Sequence, residues 1–255
     1  MKIFTMCMEC QKELGHPSFE PILADYYDEP VAHFECGRGH KCALMLQSQK
    51  FEILLESAVN ALLAGYTLEA SSTFSSAYER FFEFVISVFC SKQKVDKDEL
   101  AKTFKQVSRQ SERQLGAFLY LYLMEFGVNY QINMDIIEFR NKVIHKGYIP
   151  SPDEVEKFAE KIYTEIHQVT QKLKSSCGED IQNVVQASLL ERSKSVSGQV
   201  AKATSTGSSF FSLSHEEQAP TFGSAIASYK EVQKAIKEST PTLKALGEII
   251  KAREH

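Results

Sequence analysis

The sequence contains no run of about 18 apolar residues, so no membrane span is expected. It has no basic excess: 29 Lys and Arg against 33 Asp and Glu leave a formal net charge of -4. That excludes a general nucleic-acid coat protein, which needs a broad positive field, but leaves room for a local RNA-binding patch. There is no glycine-rich phosphate loop, no HExxH and no GxSxG, so the chemistries those motifs carry are not expected. No internal repeat is present. The opening residues Met1-Lys2-Ile3-Phe4-Thr5-Met6-Cys7 turn polar too soon for a secretory signal. The expectation is a cytoplasmic protein with reduced thiols. Its six cysteines then read as metal ligands and small core residues, not as a disulfide frame.

What is present divides into three expected segments. Residues 1–47 carry four cysteines (Cys7, Cys10, Cys36, Cys42), and Val31-Ala32-His33-Phe34-Glu35 alternates roughly like a strand. So short a stretch cannot build a core of its own and needs a staple. Residues 48–175 are helical by period. Phe51, Leu54, Leu55, Ala58 and Leu62 form one stripe, and an aromatic-rich run follows over Ala70–Phe89. A charged helix is expected over about 98–109 and an apolar one over about 113–126. The next, over Met134–Lys146, has Asn133 as N-cap and Gly147 past its end. Ser151-Pro152-Asp153-Glu154 opens a long helix with a capping box and a first-turn proline. Short gaps between these helices favour an antiparallel bundle. Residues 176–255 form a helical extension. Within it, 193–224 are rich in Ser, Thr and Gly and read as flexible, and Thr240-Pro241 splits the final pattern into two short helices. The expected fold class is mainly α, a helical bundle with a small N-terminal zinc-ribbon β module.

Cys7-Met8-Glu9-Cys10 has zinc-knuckle spacing, and Cys36-Gly37-Arg38-Gly39-His40 supplies a second turn with glycines that permit it. The preferred ligand set is Cys7, Cys10, Cys36 and His40, with Cys42 as the rival for the fourth place. Four protein ligands leave no open position, so the zinc is expected to be structural. His16 and His33 read as surface or packing residues, and Cys90 and Cys177 as ordinary thiols.

The second constellation is Phe139-Arg140-Asn141-Lys142-Val143-Ile144-His145-Lys146-Gly147. At ~100° per residue, Ile136, Ile137, Val143 and Ile144 fall on one helical arc with Arg140 inside it. A guanidinium there calls for a carboxylate, a phosphate or an interface. Asn141 and His145, four apart, share an adjacent face. A fixed cation, an amide and a titratable imidazole suit metal-independent RNA cleavage, in which histidine moves the 2′-hydroxyl proton and arginine holds the phosphate. The bland alternatives are an Arg140 paired with a buried carboxylate such as Glu79, and a His145 favoured by the helix C-terminal dipole. The stretch Lys92, Lys94, Lys97, Lys102, Lys105, Arg109 and Arg113 reads as a solvated face, and Phe118, Tyr120, Tyr122 and Phe126 as core.

Arg140-Asn141-Lys142-Val143-Ile144-His145 resembles the R-x4-6-H motif of HEPN proteins, including the polar residue after the arginine. Ser76-Ala77-Tyr78-Glu79-Arg80-Phe81-Phe82 resembles an early HEPN helix with its acidic residue. The resemblance covers about residues 48–173. It implies a metal-independent endoribonuclease of phage defence or toxin systems that cleaves tRNA or mRNA. It also implies a homodimer whose two motifs form one composite site. Arg140 and His145 become the catalytic pair, Asn141 their support and Glu79 a fourth member. The competing readings are two. One is a non-catalytic RNA-, nucleotide- or protein-binding module in a defence complex, docking a protein partner through the ribbon or the C-terminal helices. The other is a purely structural dimer subunit. The lack of a large basic surface favours these two over a promiscuous nuclease.

Overall fold

A computed structural model describes residues 1–28, 31–108, 110–196, 198 and 200–253, with side chains through 249. Arg109, one of the basic residues noted above, lies outside them. The protein is mainly helical with a small sheet region that begins near the N-terminus. No helix among the described residues is long and apolar enough to cross a membrane. By contact the chain forms two compact units. One comprises Met1–Ser48, Gln186–Ser209 and Ala227–His255, and the other Gln49–Val185 and Phe210–Ile226.

The first unit holds every strand among the described residues. β1 (Lys2–Thr5) pairs antiparallel with β2 (Ile22–Asp25). β3 (Val31–Glu35) forms a hairpin with β4 (Lys41–Leu46), and β5 (Ala201–Ser205) adds to the far edge of β4 in parallel. Cys42, Ala43, Leu44, Met45 and Leu46 are all buried, as a strand with neighbours on both edges and packing on both faces requires. β5 comes from the segment expected to be flexible. Its composition is poor in packing side chains, and the strand is held by ladder hydrogen bonds to β4 instead. α1 (Met8–Leu14) follows β1 and ends at Gly15, whose φ of 74° is the left-handed C-cap conformation.

The second unit is built around α3 (Thr67–Lys92), which packs against α2 (Lys50–Leu63), α5 (Ser111–Phe126), α6 (Met134–Lys146) and α7 (Pro152–Ser176). Thirteen of its residues are buried, because phenylalanines occupy several of its faces at once. Phe81 meets Phe51 edge-on at 5.1 Å, and Phe82 meets Phe118 at 4.6 Å. The capping box of α7 forms as expected: Glu154 N–H donates to Ser151 Oγ at 3.4 Å, and Ser151 N–H to Glu154 Oε2 at 2.9 Å. Gly147 closes α6 with φ 64°, whereas Asn133 caps its start without a side-chain hydrogen bond. α4 (Lys97–Val107) buries no residue, in keeping with a solvated basic face.

Four local expectations change. Tyr120 points out and is 75% exposed, because only one side of α5 faces α3. Ile144 is 43% exposed, since the buried arc of α6 narrows to Ile136 and Val143. Within 193–224, Phe210 and Phe211 are buried, and their segment is pinned from α2: Phe210 N–H donates to Glu56 Oε2 at 3.2 Å and Leu213 N–H to Glu52 Oε1 at 2.8 Å. These two carboxylates are buried on an otherwise apolar face and supply acceptors that the extended segment cannot supply itself. Finally, α8 (Gly178–Ser195) leads toward β5, and α9 runs unbroken over Phe222–Arg253 with Pro241 inside it. Ser239 and Thr240 hydroxyls both donate back to the Ile236 carbonyl, at 3.2 and 2.7 Å, in the turn that the proline weakens.

Candidate functional site

The first candidate centre is made by two turns of the strand-bearing unit. Cys7 is the N-cap of α1, and its Sγ accepts the Cys10 N–H at 3.4 Å. That bond fixes the tight turn that brings both sulfurs to one side. The opposing turn joins β3 to β4. Gly39, at φ 83°, donates to the Cys36 carbonyl at 2.8 Å, and Cys36 N–H donates to the His40 carbonyl at 3.1 Å. Glu20 receives the Gly37 N–H on both carboxylate oxygens, at 3.0 and 3.2 Å.

Cys7, Cys10, Cys36 and His40 therefore present four ligand atoms that lie within 4.8 Å of one another, and the three cysteines are buried. Cys10 Sγ is 3.7 Å from Cys36 Sγ and 3.4 Å from His40 Nδ1, and Cys7 Sγ is 3.7 Å from that same nitrogen. Ligands at ~2.3 Å (sulfur) and ~2.0 Å (nitrogen) from one zinc stand about 3.5–3.8 Å apart in a tetrahedron, so the set fits a metal ion of that kind. Cys42, the rival, lies 3.4 Å from Cys7 Sγ but outside the mutually close four. On its other edge the His40 ring meets Glu13: Nε2 is 3.1 Å from Oε1. A carboxylate there holds the Nε2 hydrogen and leaves the Nδ1 lone pair facing the sulfurs. Glu13 escaped the sequence reading, although its place in α1, three residues after Cys10, was available as a signal.

Protonation follows from this crowding. Burial pushes the Cys7 thiol up, but the Cys10 N–H and the Cys42, His40 and Cys10 side chains outweigh it, leaving the thiol at about 7. Burial and the neighbouring Cys7 sulfur drive Cys42 up to about 12. The Cys7 sulfur also raises His40 against the opposing effect of burial, with Glu13 adding to it. Burial, with the Cys7 and Cys36 sulfurs beside it, raises the Cys10 thiol as well, so proton affinity does not separate Cys42 from the other four.

The second candidate centre lies in the helical unit, where α6 crosses α3. Arg140 gathers the other three residues singled out with it in the sequence. One terminal nitrogen donates to Glu79 Oε1 at 2.9 Å. The other donates to Asn141 Oδ1 at 3.1 Å and lies 3.3 Å from His145 Nε2. Guanidinium has no lone pair to offer, so a hydrogen bond across this contact needs Nε2 as its acceptor. Ser111, the first residue of α5, accepts a further contact at 3.4 Å; nothing in the sequence had marked it. Arg140 and Glu79 are each about a quarter exposed, so this is neither a sealed core pair nor a free surface one. Arg80 bonds mainly to Glu83, at 2.5 Å, and is 3.8 Å from Glu79.

The guanidinium opens on a cavity of about 290 Å³. Tyr78, Phe82 and Ile136 form its buried wall, and Glu112 and Met134 its exposed edge. Behind it, Tyr78 and Tyr130 both donate to Glu165, whose carboxyl is raised above the usual range by burial.

Comparison with protein-family models, curated proteins and solved structures returns no match to this chain.

Proposed function

We propose that the helical unit is a metal-independent endoribonuclease of HEPN type, arranged as an antiparallel bundle, and that the cysteine cluster binds a structural zinc ion. One observation carries the ribonuclease reading: a single arginine holds an amide, a carboxylate and an imidazole nitrogen within 3.3 Å of its guanidinium.

The chemistry follows from those contacts. A scissile phosphate at Arg140 takes up guanidinium hydrogens that Asn141 and His145 now accept. His145 Nε2 is then free to receive the 2′-hydroxyl proton. The 2′-oxygen bonds to phosphorus, and the bond from phosphorus to the 5′-oxygen breaks. The leaving oxygen takes a proton from an imidazolium, which in the composite site implied by the family resemblance belongs to a second copy of this chain. The products are a 2′,3′-cyclic phosphate and a 5′-hydroxyl. Arg140 stabilises the charge that grows on the phosphate oxygens, and Glu79 holds the guanidinium in place. DNA lacks the nucleophile.

The test uses zinc-loaded protein on total tRNA and mRNA, with divalent ions scavenged from the buffer. Cleavage leaving cyclic-phosphate ends, absent from His145→Ala and Arg140→Ala, is the expected result. Saturable RNA binding with the RNA intact would replace the enzyme by a binding module.

A further inference from the structure

We infer that the cavity beside Arg140 receives one unstacked nucleobase of a single-stranded RNA, with the adjoining phosphate on the guanidinium. The inference rests on the ribonuclease reading and adds the place and kind of nucleotide it acts on.

The cavity has the composition of a base site. Its volume of about 290 Å³ sits at the lower end of the ~300–1,000 Å³ usual for small-molecule sites, enough for one nucleoside and too little for a stacked pair. The inner wall carries two aromatic rings, Tyr78 and Phe82, with centroids 4.5 Å apart, beside Ile136. Aromatic and aliphatic walls accept any base by stacking. At the same end as Arg140, Asn141, Ser111 and Glu79 border the cavity and offer both donors and acceptors to a base edge. A base within a duplex cannot enter such a space, so the substrate is an unpaired residue in a loop or tail.

The chain of the substrate also has a way out. Asn141 borders a second, wider cleft of about 770 Å³ between α6 and α7, whose walls include Lys142, Lys146, Lys157 and Lys161. Asp135 and Glu154 pair with Lys161 and Lys142, whereas Lys146 and Lys157 have no ion pair among the described residues. Two unpaired ammonium groups, against the one unpaired carboxylate Glu138, in a cleft that shares Asn141 with the cavity suit the next phosphates of a strand whose base is held there.

The experiment measures binding of a fluorescent single-stranded RNA octamer, 2′-O-methylated throughout so that it cannot be cut. It is compared with a series carrying one abasic position each, and with the four free nucleoside monophosphates. Zinc-loaded full chain is used as wild type, Leu115→Trp and Met134→Trp. Leu115→Trp fills the cavity. Met134→Trp blocks its mouth from an exposed position and does not disturb the core. The expected result is that one abasic position weakens binding about tenfold, and that both variants erase this difference. Binding indifferent to every abasic position overturns the inference and leaves the ribonuclease reading standing if the unmethylated RNA is still cut. Tighter binding of a monophosphate than of the octamer overturns it in favour of a free-nucleotide site. No binding and no cleavage of any RNA overturns both.

Discussion

The Arg140 guanidinium and the His145 Nε2 atom stand 3.3 Å apart, on one helix and five residues distant in sequence. An arginine can only donate, so a hydrogen bond between the two uses Nε2 as the acceptor. Replacing either residue should reduce RNA cleavage by about 100-fold or more, the scale of losing a general base or an oxyanion donor. Arg140→Lys should behave like Arg140→Ala, because an ammonium cannot bridge Glu79, Asn141 and a phosphate at once. Single-turnover cleavage of a labelled RNA measures all three. Full activity in Arg140→Lys would show that charge alone suffices.

Glu79 is expected to position the guanidinium. Glu79→Ala should lower kcat about tenfold with KM nearly unchanged, and Glu79→Gln, which still accepts from Arg140, should recover most of it. The pair is partly exposed, so the cost to stability should stay near ~1 kcal/mol. An equal loss in the Ala and Gln variants would mean that the negative charge itself takes part.

Metal content distinguishes the five clustered donors. Purified protein should carry about one zinc per chain. Cys36→Ser should lose it and melt at lower temperature, whereas Cys42→Ser should keep it. Protons compete for the sulfurs, so zinc must be released progressively on acidification. Elemental analysis with thermal melts reports both, and a zinc-free Cys42→Ser protein would reassign the fourth ligand.

Glu13 should matter to that metal without touching it. Glu13→Ala removes the partner of His40 Nε2 and should weaken zinc affinity about 10- to 100-fold. A competitive chelator titration gives the number. Unchanged affinity would reduce the contact to a partly exposed ion pair, like the one Glu13 also makes with Arg38 at 3.5 Å.

Glu165 offers a pH test within the helical unit. Burial raises its folded pKa above that of an exposed glutamate, despite the hydrogen bond from Tyr78 that lowers it. The folded state therefore holds the proton more tightly, and stability falls as pH rises from the ordinary glutamate range through the folded value. Glu165→Gln, still able to accept from Tyr78 and Tyr130, should flatten this part of the profile and stabilise the protein at neutral pH. Denaturant midpoints between pH 4 and pH 8 would reveal it; a parallel profile in the variant would place the effect elsewhere.

Local chemistry was the part of this molecule most readable from sequence. The Ser151–Glu154 box, Gly147 past α6 and the strand at Val31–Glu35 depend on neighbours in the chain and were visible there. So was the convergence of Cys7, Cys10, Cys36 and His40, because spacing within a turn fixes where sulfurs point. What depended on distant partners was not. Glu52 and Glu56 look like solvated helix residues until the segment at Phe210–Leu213 arrives over them. Pro241 reads as a break, yet α9 continues through it. The approach of Ser111 to Arg140 depends on how α5 meets α3 and α6, which no local pattern encodes.

β5 reaches its partner across more than 150 residues of chain, since Cys42 is registered with Ala201 and Leu46 with Ser205. During synthesis the hairpin that carries Cys36 and His40 is made well before the strand that covers its open edge. Until β5 emerges, β4 must wait with a bare row of amide and carbonyl groups and a strongly apolar sequence, the features that invite intermolecular pairing. Early metal capture by the two turns would hold the hairpin in shape through that interval. Any nascent chain that stalls before Ala201 would be left as an adhesive fragment.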